Sequence, residues 1–212
     1  MSVSRRSFLQ TASALALVAA VASVPGLALA QTVDADELLK PGPLGDKVLG
    51  SEDAPVTIVE YASMTCGHCA NFHKNTYPEL KKQYIDTGKV RFIMREFPLD
   101  QVAAAGFMLA RCSPEEKYFD IIDVMFHEQR SWAFTDNPYN SLLKFSKQLG
   151  FTQESFEECL TNQGLLDAVN AVRERGANTF GVDSTPTFFI NGEKHSGALT
   201  IDDLSKIIEE NL

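Results

Sequence analysis

The chain has 212 residues, 44% apolar and 22% charged, a composition that suits one soluble domain with a sizeable core. Its formal net charge is −9, and because Arg5 and Arg6 are the only charges before Gln31, the remainder stands at about −11. A surface that acidic has no electrostatic route to phosphate backbones, so nucleic-acid binding is not expected.

The chain opens with SRRSFLQ at residues 4–10, two arginines ahead of an apolar Ala/Leu/Val run from Ala12 to Val24. Ala28, Leu29 and Ala30 then supply the small residues of a cleavage site. Residues 1–30 resemble a twin-arginine export signal, with Gln10 where a lysine is frequent. The run is Ala-rich and broken by Pro25-Gly26, so it spans a bilayer poorly. The expectation is cleavage after Ala30 and a periplasmic location. In an oxidising compartment, close-spaced cysteines read as a working redox couple or a structural bridge.

Residues 31–45 show no periodic pattern and read as a leader segment. Asp46–Gly50 suggests a short strand, and Val56–Ser63, β-branched and apolar after Pro55, a central one. A helical stretch follows, with Phe72, Tyr77, Leu80 and Tyr84 at mostly three-to-four spacing, ending near Thr87-Gly88. Pro78 inside it predicts a kink. Val90–Phe97 completes a strand–helix–strand unit with a right-handed crossover. From Pro98 to about Ala177 the pattern is amphipathic helix throughout, punctuated by Ser113-Pro114, Asn137-Pro138, Gly150 and Gly164. Strand signals resume at Thr187–Ile190, turn at Asn191-Gly192 and return at Glu193–Ser196. Thr200 caps a final helix from Ile201 to about Asn211. The organisation is a first α/β part at 46–98, a helical insertion at 99–177 and a second α/β part at 178–212.

The chemistry concentrates in YASMTCGHCANFHK, residues 61–74, where Cys66 and Cys69 fall at a strand-to-helix junction. Unpaired amides at a helix start carry partial positive charge and stabilise a thiolate. Cys66 is therefore the attacking and leaving sulfur, and Cys69, one turn in, the resolving one. His68 adds a group that is cationic at mildly acid pH. Zinc wants four ligands, and these two thiols supply half; His73 offers a third, and no second C-x-x-C follows. Cu(I) suits soft thiolates, but apart from nearby Met64 a Met-rich or His-rich tract is missing. No metal is expected, and a copper- or zinc-binding thiol protein stands as the alternative class. Cys112 and Cys159 are isolated in predicted helices, either two buried thiols or one bridge. A structural disulfide is the expectation, and for its loop the chain-entropy model gives about 4 kcal/mol.

EYASMTCGHCANFHK, the helical insertion and STPTFFINGE together resemble the DsbA-type thiol oxidases of bacterial periplasms, and the resemblance covers nearly all of residues 46–212. It implies an α/β thioredoxin-like fold with an inserted all-helical subdomain, and catalytic Cys66 and Cys69 beside His68. It implies a cis bond before Pro186, with Thr185 presenting backbone groups to a substrate chain. An acid at the place of Glu60 is buried under the couple in that family and relays a proton; the strand alone leaves an outward-facing Glu60 equally open. The partners implied are reduced exported polypeptides and a DsbB-like quinone-linked membrane reoxidant, with no cofactor. Only about fifteen residues separate Ala30 from the fold, which favours a monomer over a dimerising isomerase. One departure is Gly67, where many relatives carry proline. Cys-Gly-His-Cys is the form of protein disulfide isomerases, about 60 mV or roughly 3 kcal/mol less oxidising, so isomerase or reductase activity stands beside oxidation. Of the remaining candidates, His73, His127 and His195 read as surface or satisfied core positions. Arg95-Glu96 reads as an ion pair or solvated, and Trp132 and Phe134 as packing.

Overall fold

The computed structural model describes residues 32–212; the expected export signal and cleavage site lie outside the described residues. Strand β1 (Lys47–Leu49), β2 (Val56–Ala62), β3 (Val90–Glu96), β4 (Thr187–Ile190) and β5 (Glu193–Ser196) form one mixed sheet in the order β1-β3-β2-β4-β5. The central β2 runs parallel to β3 and antiparallel to β4. Val56, Ile58 and Ala62 enter the larger core on one face, while Val59 and Tyr61 enter a smaller core on the other. Burial on both faces is why β2 reads as a continuous apolar run. Period-two alternation puts Glu60 on the face of Ile58 and Ala62, fully buried, so it is not an outward-facing strand residue.

Residues 32–45 are more ordered than their lack of pattern suggests. Asp34 accepts the Glu37 N–H at 2.9 Å and caps α1 (Ala35–Leu38), whose Leu38 is buried. Thr32 makes a bridge with Glu193 on the sheet edge. The kink expected at Pro78 lies earlier. α2 (Gly67–Asn75) stops at Thr76, where φ is −108°, and α3 (Tyr77–Leu80) restarts with Pro78 in its first turn. There the missing N–H costs nothing, because first-turn amides have no intrahelical acceptor. A π-helical turn, Lys81–Ile85, leads from α3 towards β3.

Between β3 and β4 stand α4 (Gln101–Cys112), a 3₁₀ turn (Glu115–Lys117), α5 (Tyr118–His127), α6 (Gln129–Trp132), α7 (Pro138–Gln148), α8 (Gln153–Leu160) and α9 (Gln163–Phe180). Side chains of Asp100, Asn137, Thr152 and Asn162 cap α4, α7, α8 and α9. α9 runs on past residue 177 to Gly181, and its Val172 and Phe180 pack on the second face of the sheet with Tyr61 and Phe189. A Cβ at Gly176 would come within 2.7 Å of the Tyr61 ring, so only glycine allows that approach. The hairpin turn takes positive φ at both Asn191 and Gly192. α10 (Ile201–Glu209), capped by Thr200, buries Leu204 and Ile208 on the first face.

Arg95 and Glu96 are paired inside rather than solvated. Arg95 holds Asp46 through two nitrogens, at 3.0 and 2.9 Å, and donates to the Tyr61 hydroxyl. Glu96 accepts from Arg111 and from the Tyr118 hydroxyl. The two clusters tie β3 to α4, α5 and the segment before β1.

Candidate active site

β2 delivers the chain to the dithiol through a tight turn, Cys66 N–H donating to Ser63 O at 3.0 Å. Thr65 donates to Asp100 Oδ2 at 2.7 Å, while Asp100 Oδ1 caps α4 at Ala103. Gln129 Nε2, from α6, donates to the carbonyls of Met64 and Cys66 at 2.8 and 3.0 Å. The loop carrying Cys66 is thus fixed from three directions.

Cys66 occupies the N-cap of α2, where Ser, Thr or Asp would ordinarily accept a first-turn N–H, and its thiol makes no such bond. Ionisation supplies the missing acceptor. The Cys66 thiol is held down to about 5, chiefly by a hydrogen bond with Cys69, against the opposing effect of burial. A side-chain hydrogen bond with Thr185 and the backbone N–H groups of Cys69 and His68 complete the set. Those two amides are N3 and N2, the ones a capping side chain uses. His68 contributes through its backbone, and its residue is exposed. Cys69, by contrast, is fully buried, and that burial, with the Cys66 hydrogen bond and the Glu60 charge, pushes its thiol well above the ordinary range. Both are unbridged here.

The Thr185–Pro186 peptide is cis, and the Cys66 thiol donates to the Thr185 carbonyl at 3.2 Å. The buried Thr185 hydroxyl has no partner while Cys66 is a thiol, which leaves it free to donate to a thiolate. The structure therefore gathers Cys66, Cys69, Thr185 and Pro186 at one point, with Glu60 near enough for its charge to raise the Cys69 thiol.

Three residues escape the sequence reading. His73 is a buried core histidine whose Nε2 lies 3.2 Å from Glu60 Oε2, but it is only half satisfied, because Nδ1 has no partner. Gln129 comes from the insertion, 63 residues from Cys66. Phe134 is 58% exposed and is not packing, unlike fully buried Trp132. It lines a cleft of about 490 Å³ with Gly67, Gln129 and Arg130, beside the dithiol. Apolar spacing could have exposed none of these; His73 alone had a signal, four residues after Cys69 and so on the same helix face.

Cys112 and Cys159 are bridged in the structure, with Cα atoms 6.1 Å apart, joining α4 to α8. Among the described residues, no group of three or more His, Cys, Asp or Glu side chains could hold a metal ion, and no helix is long and apolar enough to cross a membrane.

An acidic thiol at a helix start backed by one that stays protonated is the working arrangement of thioredoxin-fold dithiol proteins. The family model described as Thioredoxin matches residues 44–210. The chain is 35% identical over 169 residues to a Rickettsia felis protein named as a protein-disulfide oxidoreductase, covering 79% of this chain. It spans 60% of that relative's length. The crystal structure of Wolbachia pipientis alpha-DsbA1 superposes with a TM-score of 0.76 at 32% identity, covering 84% of this chain and 96% of the other. Disulfide bond formation protein D of Bacillus subtilis is 26% identical over 184 residues, covering 82% and 80% of the two chains. The chain belongs to the thioredoxin family, in its DsbA-type branch with an inserted helical subdomain.

Proposed function

We propose that this protein is a periplasmic thiol–disulfide oxidoreductase that passes the Cys66–Cys69 disulfide to reduced exported polypeptides. The observation that carries the reading is the split between the two thiols, one held near 5 and the other pushed up. Stabilising the Cys66 thiolate stabilises the reduced form and makes the disulfide an oxidant. With the thiol at about 5 rather than 9.0, the part effective at pH 7 is about 3 kcal/mol, roughly 60 mV for a two-electron couple.

A substrate thiolate attacks Cys66 Sγ. The Cys66–Cys69 bond breaks, a mixed disulfide forms, and the Cys69 sulfur takes the bonding pair and then a proton from Glu60. A second substrate thiolate attacks the substrate sulfur, and Cys66 leaves as its thiolate. The substrate has lost two electrons and the protein has gained them. Thr185, held at Pro186, pairs with the substrate backbone beside Cys66, and His68 favours the Cys66 thiolate through its backbone N–H. A DsbB-like membrane protein restores the disulfide, the protein works as a monomer after cleavage of residues 1–30, and Cys112–Cys159 is structural.

Gly67 favours a second reading within the class, an isomerase or reductase. Equilibration against glutathione buffers separates them. A potential less negative than about −200 mV is expected for a donor; a value near the roughly −270 mV of thioredoxin means a reductase. Cys66→Ser must abolish oxidation of a reduced peptide. Stoichiometric Cu(I) or Zn(II) binding by a protein unable to oxidise that peptide would replace the reading with a metal-binding one.

A further inference from the structure

Glu60 lies fully buried at the centre of the sheet, and its neighbours in register are Met94 on β3 and Phe188 on β4. Neither side chain can donate a hydrogen bond. Among the described residues its one hydrogen-bond partner comes from the helix above, where His73 Nε2 stands 3.2 Å from Glu60 Oε2. His73 is 1% exposed, stacked on Phe126 at 4.2 Å between ring centroids and close to Tyr77 at 4.9 Å. Cys69 and His73 are one helical turn apart on α2, so the resolving thiol and this imidazole share the face that covers Glu60.

The unpartnered atoms show which side of each group is engaged. His73 Nδ1 and Glu60 Oε1 are both buried without a hydrogen-bond partner. A hydrogen on Nδ1 would be buried unsatisfied, so the donated N–H is placed on Nε2, facing Glu60 Oε2. Oε1 is then the free oxygen.

We infer that His73 is the positioning residue of the buried acid: its Nε2–H holds Glu60 Oε2 and leaves Oε1 to give and retake the Cys69 proton. The assignment deepens the thiol-exchange reading and rests on it. When the disulfide opens, the Cys69 sulfur leaves with the bonding pair and one proton passes from Oε1 to Sγ through a bridging water, since no direct hydrogen bond joins the two atoms. Glu60 becomes a carboxylate in an apolar sheet, and the His73 N–H is the donor that makes that charge tolerable. On reoxidation the proton returns to Oε1. The other ionisable groups nearby do not compete. Tyr77, on α3, is kept protonated by burial first and then by Asp123 and Glu60. Asp123, on α5, is part-exposed and its Oδ1 makes no hydrogen bond, the His127 Nδ1 pairing with the Asp123 backbone carbonyl at 2.9 Å. Cys66 ionises at the helix start through its own donors.

His73→Phe keeps a ring against Phe126 and removes the donor; His73→Gln returns an amide N–H. The first readout is the carboxyl ¹³C shift of Glu60 against pH in the reduced protein. Loss of the donor moves its midpoint up by about one pH unit or more, and His73→Gln holds it within a few tenths of the parent. His73→Leu must shift it in the same direction should the phenyl ring not fit. The second readout is resolution of a Cys66–glutathione mixed disulfide by Cys69. Its rise with pH moves the same way, to about tenfold slower below the midpoint, while the ultraviolet titration of Cys66 stays in place. A Glu60 midpoint unmoved in both donor-free variants overturns the inference. A parent protein that forms no mixed disulfide overturns the exchange reading instead, and the carboxyl titration still decides the role of His73.

Discussion

Cys66 and Cys69 open a helix; Cys112 and Cys159 close two of them. Cys66 is the N-cap of α2, whereas Cys112 is the last residue of α4 and Cys159 the last but one of α8. At a helix start, amide N–H groups are free and favour a thiolate; at a helix end, the free groups are carbonyls and disfavour one. The same bond therefore meets opposite fields. Opening Cys66–Cys69 releases a sulfur that the backbone stabilises. Opening Cys112–Cys159 releases two that it does not, and also frees a loop with 47 residues of sequence separation. One pair is built to be broken and the other to persist.

The contrast is broken most forcefully through the second pair. Replacing Cys112 and Cys159 together by serine is expected to lower unfolding stability by about 4 kcal/mol in denaturant titrations, on the chain-entropy model. The ultraviolet titration of Cys66 should not move. A Cys66 midpoint that rises with the loss of the distant bridge would show that the two pairs are coupled.

The next largest effect is one of pH. The Cys66 thiol is depressed from 9.0 to about 5 in the folded reduced protein, and the oxidised protein has no such thiol. Ionisation therefore stabilises the reduced form fully above pH 9, less as the pH falls, and not at all below about 5. Between those limits the reduced form should gain on the oxidised one by about 1.4 kcal/mol per pH unit. Melting both forms at pH 4.5, 6 and 7.5 reads this directly. A difference that stays constant with pH removes the basis for the oxidising assignment.

How much of this was legible in the sequence follows from where each interaction is closed. The strands, the insertion, the hairpin and the position of the dithiol are local patterns, and the DsbA-type resemblance placed them in order. The burial of Glu60 needed one more step, that a central strand covered on both faces has no outward side. The break at Thr76 instead of Pro78 was hidden because proline fits the first turn of a new helix as well as it kinks an old one. His73 finds its partner 13 residues back on a strand, and Gln129 finds the Cys66 carbonyl 63 residues back. Such contacts exist only once the fold is closed, and no spacing rule reaches them.

Thr185 sharpens the comparison at smaller scale. Its hydroxyl is the side-chain donor from outside α2 that favours the Cys66 thiolate. Thr185→Val keeps the shape and removes the donor, so the Cys66 midpoint should rise by about one unit, with a correspondingly weaker oxidant. Neither change is expected at the Cys112–Cys159 bridge. An unchanged midpoint would leave the thiolate to the helix amides and Cys69 alone.

The smallest effect tests the part of the motif that stands most in the open. His68 sits at the second position of α2, exposed, and it is its backbone N–H that favours the thiolate. His68→Ala keeps that N–H and removes only the imidazole. An exposed charge near a helix start is worth at most about 1 kcal/mol and is screened by salt. The Cys66 midpoint should therefore rise by no more than a few tenths of a unit in dilute buffer. At 1 M salt, where the Debye length is about 3 Å, the difference should vanish. A shift of a full unit that survives high salt would mean that the imidazole hydrogen-bonds the sulfur directly. In that case the electrostatic contrast between helix start and helix end would owe as much to one side chain as to the backbone.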